Sequence, residues 1–266
     1  MWSRKGGVRM LKSLLSAFLM YSRIPVIQVE WKEENRRYAL GWFPLIGAVI
    51  GGILLLWRMF CTHFSVSQFL FAAVAVIIPV LVTGGIHIDG FCDVTDARAS
   101  YAEREKRLEI MADPHIGSFA VIRVCLYLIL QTALFSQIGD IRSTAVVSCG
   151  YILSRALSGL SAVTFRCAKK DGTLQSFVKP SHRSVTIAMI TFFGASAFGL
   201  MLFINTVCGL VAFAAALVCF WYYRRTAYKE FGGTTGDLCG WFLQICELSV
   251  LLTTVLAGIM MEVLLS

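Results

Sequence analysis

Long stretches of this chain carry no charged residue, and they recur at the length of a membrane-crossing helix. A helix rising 1.5 Å per residue needs about 20 apolar residues to cross the hydrocarbon of a bilayer. Residues 39–57 form the first such span. Residues 59–88 run for thirty positions without Lys, Arg, Asp or Glu, which leaves room for a turn near His63 and a second helix over 66–88. A third helix fits between Arg123 and Asp140, and a fourth over 143–165, interrupted by Arg155. The forty uncharged residues between Arg183 and Arg224 are too long for one helix, and Asn205 at their centre predicts a tight hairpin of the fifth and sixth. The seventh covers 241–265 and carries Glu247. Gly139-Asp140, Asp171-Gly172, Lys179-Pro180 and Gly232-Gly233 supply turn chemistry where the pattern breaks.

The residues ahead of the first span differ in kind. Val8, Leu11, Leu14, Leu15, Phe18 and Leu19 recur at helical spacing beside Arg4, Lys5, Arg9 and Lys12, and Arg23-Ile24-Pro25 ends the pattern. This predicts a helix lying in the membrane interface. No small-residue cleavage site follows Tyr21, which argues against a signal peptide. The expected organisation is a cytoplasmic N-terminal segment, 1–38, and a single transmembrane catalytic domain, 39–266: an all-α, polytopic helix bundle.

Composition agrees. Of 266 residues, 57% are hydrophobic and 15% charged, against roughly 45–50% and about 25% in soluble domains. Mean hydropathy is +0.72. These values exclude a soluble globular fold and a disordered chain. The net charge of +8 then reads as membrane orientation and attraction to anionic lipid, with no nucleic-acid partner. With the N-terminus inside, segments 1–38, 89–117, 166–183 and 224–240 hold 8, 4, 5 and 3 Lys/Arg, twenty of the 24, while the outer loops hold only Arg58 and Arg142. The positive-inside rule therefore predicts N-in, C-out, and places the long polar segments on the cytoplasmic side of the cell membrane.

Chemistry concentrates in one stretch. Asp89, Asp93 and Asp96 are spaced i, i+4, i+7, which puts three carboxylates on one helical face at a membrane boundary. Like charges so placed repel unless a cation neutralises them, and an oxygen-only donor set suits Mg²⁺; a solvated acidic helix end is the plain alternative. His87 beside them is either a general base or a packing residue. Gly232-Gly-Thr-Thr-Gly-Asp237 opens the last helix with glycine-rich backbone suited to phosphate oxygens, through Gly233 and Gly236, and Asp237 offers a further metal ligand. Arg155 and Glu247, both inside spans, are either functional or each other's ion-pair partner. The basic loop 166–183, with Lys169 and Lys170, suits a polyanion such as a diphosphate, though a positive-inside loop looks the same. Residues 101–116 mix acids and bases and predict a solvated amphipathic helix. The nine cysteines contain no CxxC pair and read as small hydrophobes.

These residues also carry a resemblance. Gly84-Gly-Ile-His-Ile-Asp-Gly-Phe-Cys-Asp-Val-Thr-Asp96 resembles the Gly-Gly-x-His-x-Asp-Gly-x-x-Asp-x-x-Asp signature of the cobalamin synthase family, the adenosylcobinamide-GDP ribazoletransferases. Arg107-Leu-Glu-Ile-Met-Ala-Asp-Pro-His-Ile-Gly-Ser-Phe119, Ser22-Arg-Ile-Pro-Val26 and Gly232-Gly-Thr-Thr-Gly-Asp237 resemble the same family in the same order, over about residues 14 to 250. One departure stands out: Ala97-Arg98 follows the third aspartate where the family usually has Gly, which adds a positive charge beside the proposed metal.

The resemblance implies a Mg²⁺-dependent membrane enzyme. It would join adenosylcobinamide-GDP to α-ribazole, or its 5′-phosphate, giving adenosylcobalamin, or its 5′-phosphate, and GMP. It further implies Asp89, Asp93, Asp96 and Asp237 around Mg²⁺, Arg155, Lys169 and Lys170 neutralising phosphate, and Asp113 and His115 completing the pocket. Oligomeric state is open between monomer and homo-oligomer. A CDP-alcohol phosphotransferase is the competing enzyme, echoed by Asp93-Val-Thr-Asp96-Ala-Arg98 but lacking the second half of its pattern. A secondary transporter is the competitor from another class; it would place its charges at the bilayer midplane, on broken helices, and often show an inverted repeat.

Overall fold

The structure is a computed structural model that describes residues 4–169 and 172–265. Twelve helices and no strands occur among the described residues: α1 (Arg4–Tyr21), α2 (Glu33–Arg36), α3 (Ala39–His63), α4 (Gln68–Thr83), α5 (Ile86–Ala99), α6 (Arg104–Ile110), α7 (Ser118–Gln137), α8 (Ile141–Thr164), α9 (Thr173–Val178), α10 (Arg183–Ile204), α11 (Thr206–Glu230) and α12 (Gly236–Leu265). Six of them, α3, α7, α8, α10, α11 and α12, are long and apolar enough to cross a membrane, and α4 with α5 forms a bent pair that makes a seventh candidate span.

The middle helix of the bundle is α8. Its most apolar window is 89% buried, against 17% for α10, because α3, α10, α11 and α12 all pack on it. Small residues permit the closest of these approaches. A Cβ at Gly51 would lie 2.6 Å from the Ser148 carbonyl oxygen of α8, the small-residue device by which membrane helices pack. The outer helices leave Ile129, Phe192, Leu217 and Val218 exposed, as lipid-facing positions require.

Bonds between connections sort the bundle into two ends. At one, Gln68 Nε2 donates to the Phe135 and Ile138 carbonyls, and Asn205 joins α10 to α11, its Oδ1 accepting from the Cys208 amide at 3.0 Å. The hairpin thus turns where the sequence predicts. At the other end α5, α6, the 166–169 segment and the start of α12 converge. The described candidate residues outside the spans lie there.

Three expectations are corrected. The second span is not one straight helix over 66–88. It breaks at Gly84-Gly85, where φ is +67° and +81°, a left-handed pair that only glycine adopts cheaply, and α5 leaves α4 at 95°. Carrying Asp89, Asp93, Asp96 and Arg98 in 14 residues, α5 is too charged to cross hydrocarbon, so α4 is the apolar arm of the bent pair. The amphipathic helix over 101–116 shrinks to α6, with a non-helical turn through Pro114 after it. The last helix starts at Gly236, ahead of Trp241. As expected, α1 is helical; it turns Ser13, Ser16 and Ala17 inward, packs on α3, and leaves Val8 and Leu11 exposed. All nine cysteines are free.

Candidate active site

The site is assembled where α5 crosses α12. Gly90 and Gly240 let the two helices touch backbone to backbone: a Cβ at Gly90 would stand 2.8 Å from the Asp237 Cα, and one at Gly240 would stand 3.2 Å from the His87 Cα. This crossing carries Asp237 to the carboxylates of α5. Burial, then Asp89, Asp237 and Asp96 in that order, push the Asp93 carboxyl up to about 7. A carboxyl raised in this way is partly withdrawn from water and crowded by like charge.

Asp89 and Asp237 stand where three clefts meet. A polar cleft of about 700 Å³ is lined by Asp89, Asp93, Asp113, His115 and Arg23. A second, of about 450 Å³, contains Asp237, Gly236 and Lys169. A third, of about 300 Å³, is mostly apolar and has Asp89, Asp237 and His87 on its wall. The structure therefore brings together Asp89, Asp93, Asp113, His115, Lys169, Gly236 and Asp237. In the loop after α6, Asp113 Oδ1 accepts from the His115 amide at 2.9 Å and its Nδ1 at 2.7 Å, which holds the Asp113 carboxyl below its ordinary value. Lys169 Nζ donates to the Leu108 carbonyl at 3.2 Å.

Other expected site residues are placed elsewhere. Asp96 shares the face of Asp89 and Asp93, but its carboxylate accepts from the Gly117 amide at 2.5 Å and the Ala120 amide at 2.8 Å, capping the first turn of α7. Arg155, expected on phosphate, is fully buried; its Nη1 pairs with Glu247 Oε1 at 2.7 Å and donates to the Tyr151 carbonyl at 3.1 Å. The ion pair is the reading the structure supports. Gly233 does not present its N–H to a ligand: that amide donates to the Ala227 carbonyl at 2.9 Å and closes α11. Lys170 lies outside the described residues. His87 is buried, packs on the Phe43 ring at 5.9 Å, and its Nε2 has no partner.

Arg98 is turned away from the carboxylates. Its Nε and Nη2 donate to Glu230 at 3.0 and 3.1 Å, and the guanidinium lies 5.3 Å from the Trp241 ring. Arg107 joins the same carboxylate at 2.7 Å. The Ala97-Arg98 departure thus ties α5 to α11 and α6 and adds no charge to the cluster.

Sequence reasoning missed Arg23 as a site residue. Its side chain lies against Gly84 so closely that a Cβ there would be 2.5 Å from the Arg23 Cγ, and it is a cation lining the cleft of Asp89 and Asp93. The signal was present in Ser22-Arg-Ile-Pro-Val26, but without the bend at Gly84 nothing placed that stretch near α5.

Among the described residues no three Asp, Glu, His or Cys side chains converge as a ready metal cage. Mg²⁺ does not require one, since it keeps waters and usually takes one or two carboxylates together with substrate phosphates. The oxygen-only donors of Asp89, Asp93 and Asp237 fit such a cation.

A membrane-embedded helical bundle with clustered carboxylates and flanking cations at one end belongs to the class of polytopic membrane enzymes. The chain belongs to the cobalamin-5-phosphate synthase family, whose profile matches residues 13–255, and is thereby a transferase of cobalamin biosynthesis. It is 43% identical to the adenosylcobinamide-GDP ribazoletransferase of Lachnoclostridium phytofermentans over 94% of this chain and 95% of that one. Enzymes of the same name from Shewanella amazonensis and Treponema denticola are 32% and 30% identical, over 93% and 92% of this chain and 96% and 97% of theirs. No solved structure matches the chain. This whole-length membership sets aside the CDP-alcohol phosphotransferase and the transporter.

Proposed function

We propose that this protein transfers the cobinamide phosphate group of adenosylcobinamide-GDP to α-ribazole, or α-ribazole 5′-phosphate, in a Mg²⁺-dependent reaction at the cytoplasmic face of the cell membrane. The observation that carries this reading is the meeting of the α5 carboxylates with Asp237, between a polar cleft flanked by cations and an apolar one. Twenty of the 24 Lys/Arg fall on the segments of that end when the N-terminus is inside, which supports the cytoplasmic side.

A secondary ribose hydroxyl of the acceptor, not the 5′ position that bears phosphate in α-ribazole 5′-phosphate and in its product, attacks the phosphorus attached to cobinamide. A P–O bond forms there, the bridging P–O bond to GMP breaks, and the hydroxyl proton passes to the carboxylate cluster. Such transfers depend on positioning and charge neutralisation more than on covalent help from the protein. Asp89, Asp93 and Asp237 would hold Mg²⁺, which supplies charge neutralisation on the diphosphate. Arg23 and Lys169 flank the cluster and offset the remaining phosphate charge, while Asp113 fixes the His115 ring at the rim of the polar cleft.

The test is an assay on membranes containing the expressed chain, supplied with adenosylcobinamide-GDP, α-ribazole and Mg²⁺. GMP and a cobalamin product are expected in equal amounts, and neither with EDTA. Mg²⁺-dependent CMP release from a CDP-alcohol, without GMP, would overturn the proposal.

A further inference from the structure

The apolar cleft lies beside the carboxylates, with Asp89 and Asp237 on its wall. It lies among α1, α3, α5, α8, α9 and α12, and aromatic rings form much of its wall. Tyr21 and Phe43 lie 4.5 Å apart between centroids, Tyr21 and Phe177 6.5 Å, and Phe43 and His87 5.9 Å. Ala162 of α8 completes the floor. At about 300 Å³ the cleft stands at the small end of ligand pockets, which run roughly 300–1,000 Å³. A corrin macrocycle bearing an adenosyl group and amide arms is far too wide for it. A bicyclic heteroaromatic base on a ribose is not, and aromatic walls favour a planar ring in offset or edge contact.

The polar end of the same cleft is Asp89 and Asp237. A nucleoside with its base among the rings and its sugar outward would present a hydroxyl to the carboxylates. The phosphate donor would reach the same carboxylates from the polar cleft, which shares Asp89 and carries Arg23. Two clefts that share Asp89 let two substrates reach one cluster, the juxtaposition a direct displacement needs.

We infer that this apolar cleft is the subsite for the planar base of the acceptor nucleoside, with Tyr21, Phe43 and Phe177 as its walls and Ala162 as its floor. The inference rests on the proposed transferase reading and adds the place of the acceptor's base.

The test uses the purified full-length protein with Ala162→Leu, which fills the floor, and Phe177→Ala, which removes a wall ring from a short peripheral helix. Direct titration with α-ribazole alone accompanies steady-state kinetics. For Ala162→Leu the Kd and KM for α-ribazole are expected to rise about tenfold or more, with kcat and the donor KM within about twofold, the pattern of lost acceptor binding. Phe177→Ala is expected to raise both roughly threefold to tenfold, and it stands alone if Ala162→Leu fails to fold. A raised donor KM with unchanged acceptor binding would overturn the inference in favour of a corrinoid site. No change in either substrate would overturn it in favour of a lipid chain in the cleft. Absence of product from the wild-type protein would sink the transferase reading itself, and the titration with α-ribazole would still be read separately.

Discussion

Gly90 of α5 lies against Asp237 of α12 with no room for a side chain, since a Cβ at position 90 would stand 2.8 Å from both the Asp237 Cα and its carbonyl oxygen. A clash with backbone is not relieved by a rotamer change, so the helices themselves must part. Gly90→Ala is expected to cost about 1–3 kcal/mol, as overpacking does, and to weaken Mg²⁺ stabilisation by separating Asp237 from Asp89. Thermal unfolding in detergent, with and without Mg²⁺, measures both. An unchanged Mg²⁺-induced shift would contradict the crossing as the source of the site.

Asp93 and Asp96 sit three residues apart on one face yet do different things. Asp96→Ala removes the acceptor for two amides of α7 and is expected to cost about 0.5–2 kcal/mol, the range for a lost cap. The two amides use different oxygens of Asp96, so Asp96→Asn keeps an acceptor for one of them, and it is expected to retain activity within about tenfold. Asp93→Asn is expected to lose more than about 100-fold, beyond the roughly 10–100-fold that supporting residues cost at a metal site. Turnover of the two Asn variants, at matched amounts of folded protein, separates them. Equal losses would put Asp96 among the metal ligands.

Glu247 and Arg155 neutralise each other inside the bundle at 2.7 Å. Breaking one side of a buried pair costs about 3–5 kcal/mol because the other charge is left alone. Arg155→Met is expected to destabilise on that scale, and Arg155→Met with Glu247→Met to recover a substantial part. The donor KM of whatever folds is expected to stay near wild type. A large rise in that KM, with stability intact, would return Arg155 to the phosphate.

The Asp93 carboxyl, raised from 3.8 to about 7, sets the sign of a pH effect in cation-free protein. Between those values the folded state binds more protons than the unfolded one, so stability falls as pH rises through that window. In EDTA the melting temperature is expected to be higher at pH 6 than at pH 8, and added Mg²⁺ to raise it more at pH 8. The reverse order would contradict the crowding of carboxylates around Asp93.

Much of this was legible in the chain. A charge-free run split by Asn205 gave the α10–α11 hairpin, because turn chemistry is local. The i, i+4, i+7 spacing put Asp89, Asp93 and Asp96 on one face, because α5 is a regular helix. Counting apolar residues could not see that Gly84-Gly85 turns the chain by 95°, since two left-handed residues leave hydropathy unchanged. Nor could spacing show that Asp96 caps a helix beginning more than twenty residues later, or that the Gly233 amide closes α11. Those roles depend on partners brought in by tertiary packing. Arg23 was hidden for the same reason, its place over Gly84 being held where its amide donates to the Val82 carbonyl of α4 at 2.8 Å.

By this account α12 completes the carboxylate site of α5 by supplying Asp237. The most direct measurement is the Mg²⁺ dependence of GMP release for Asp237→Asn beside wild type, with folding checked by thermal unfolding. A rise of about tenfold or more in the Mg²⁺ needed for half-maximal rate, with the fold intact, is the predicted result. An unchanged Mg²⁺ dependence and rate would contradict it.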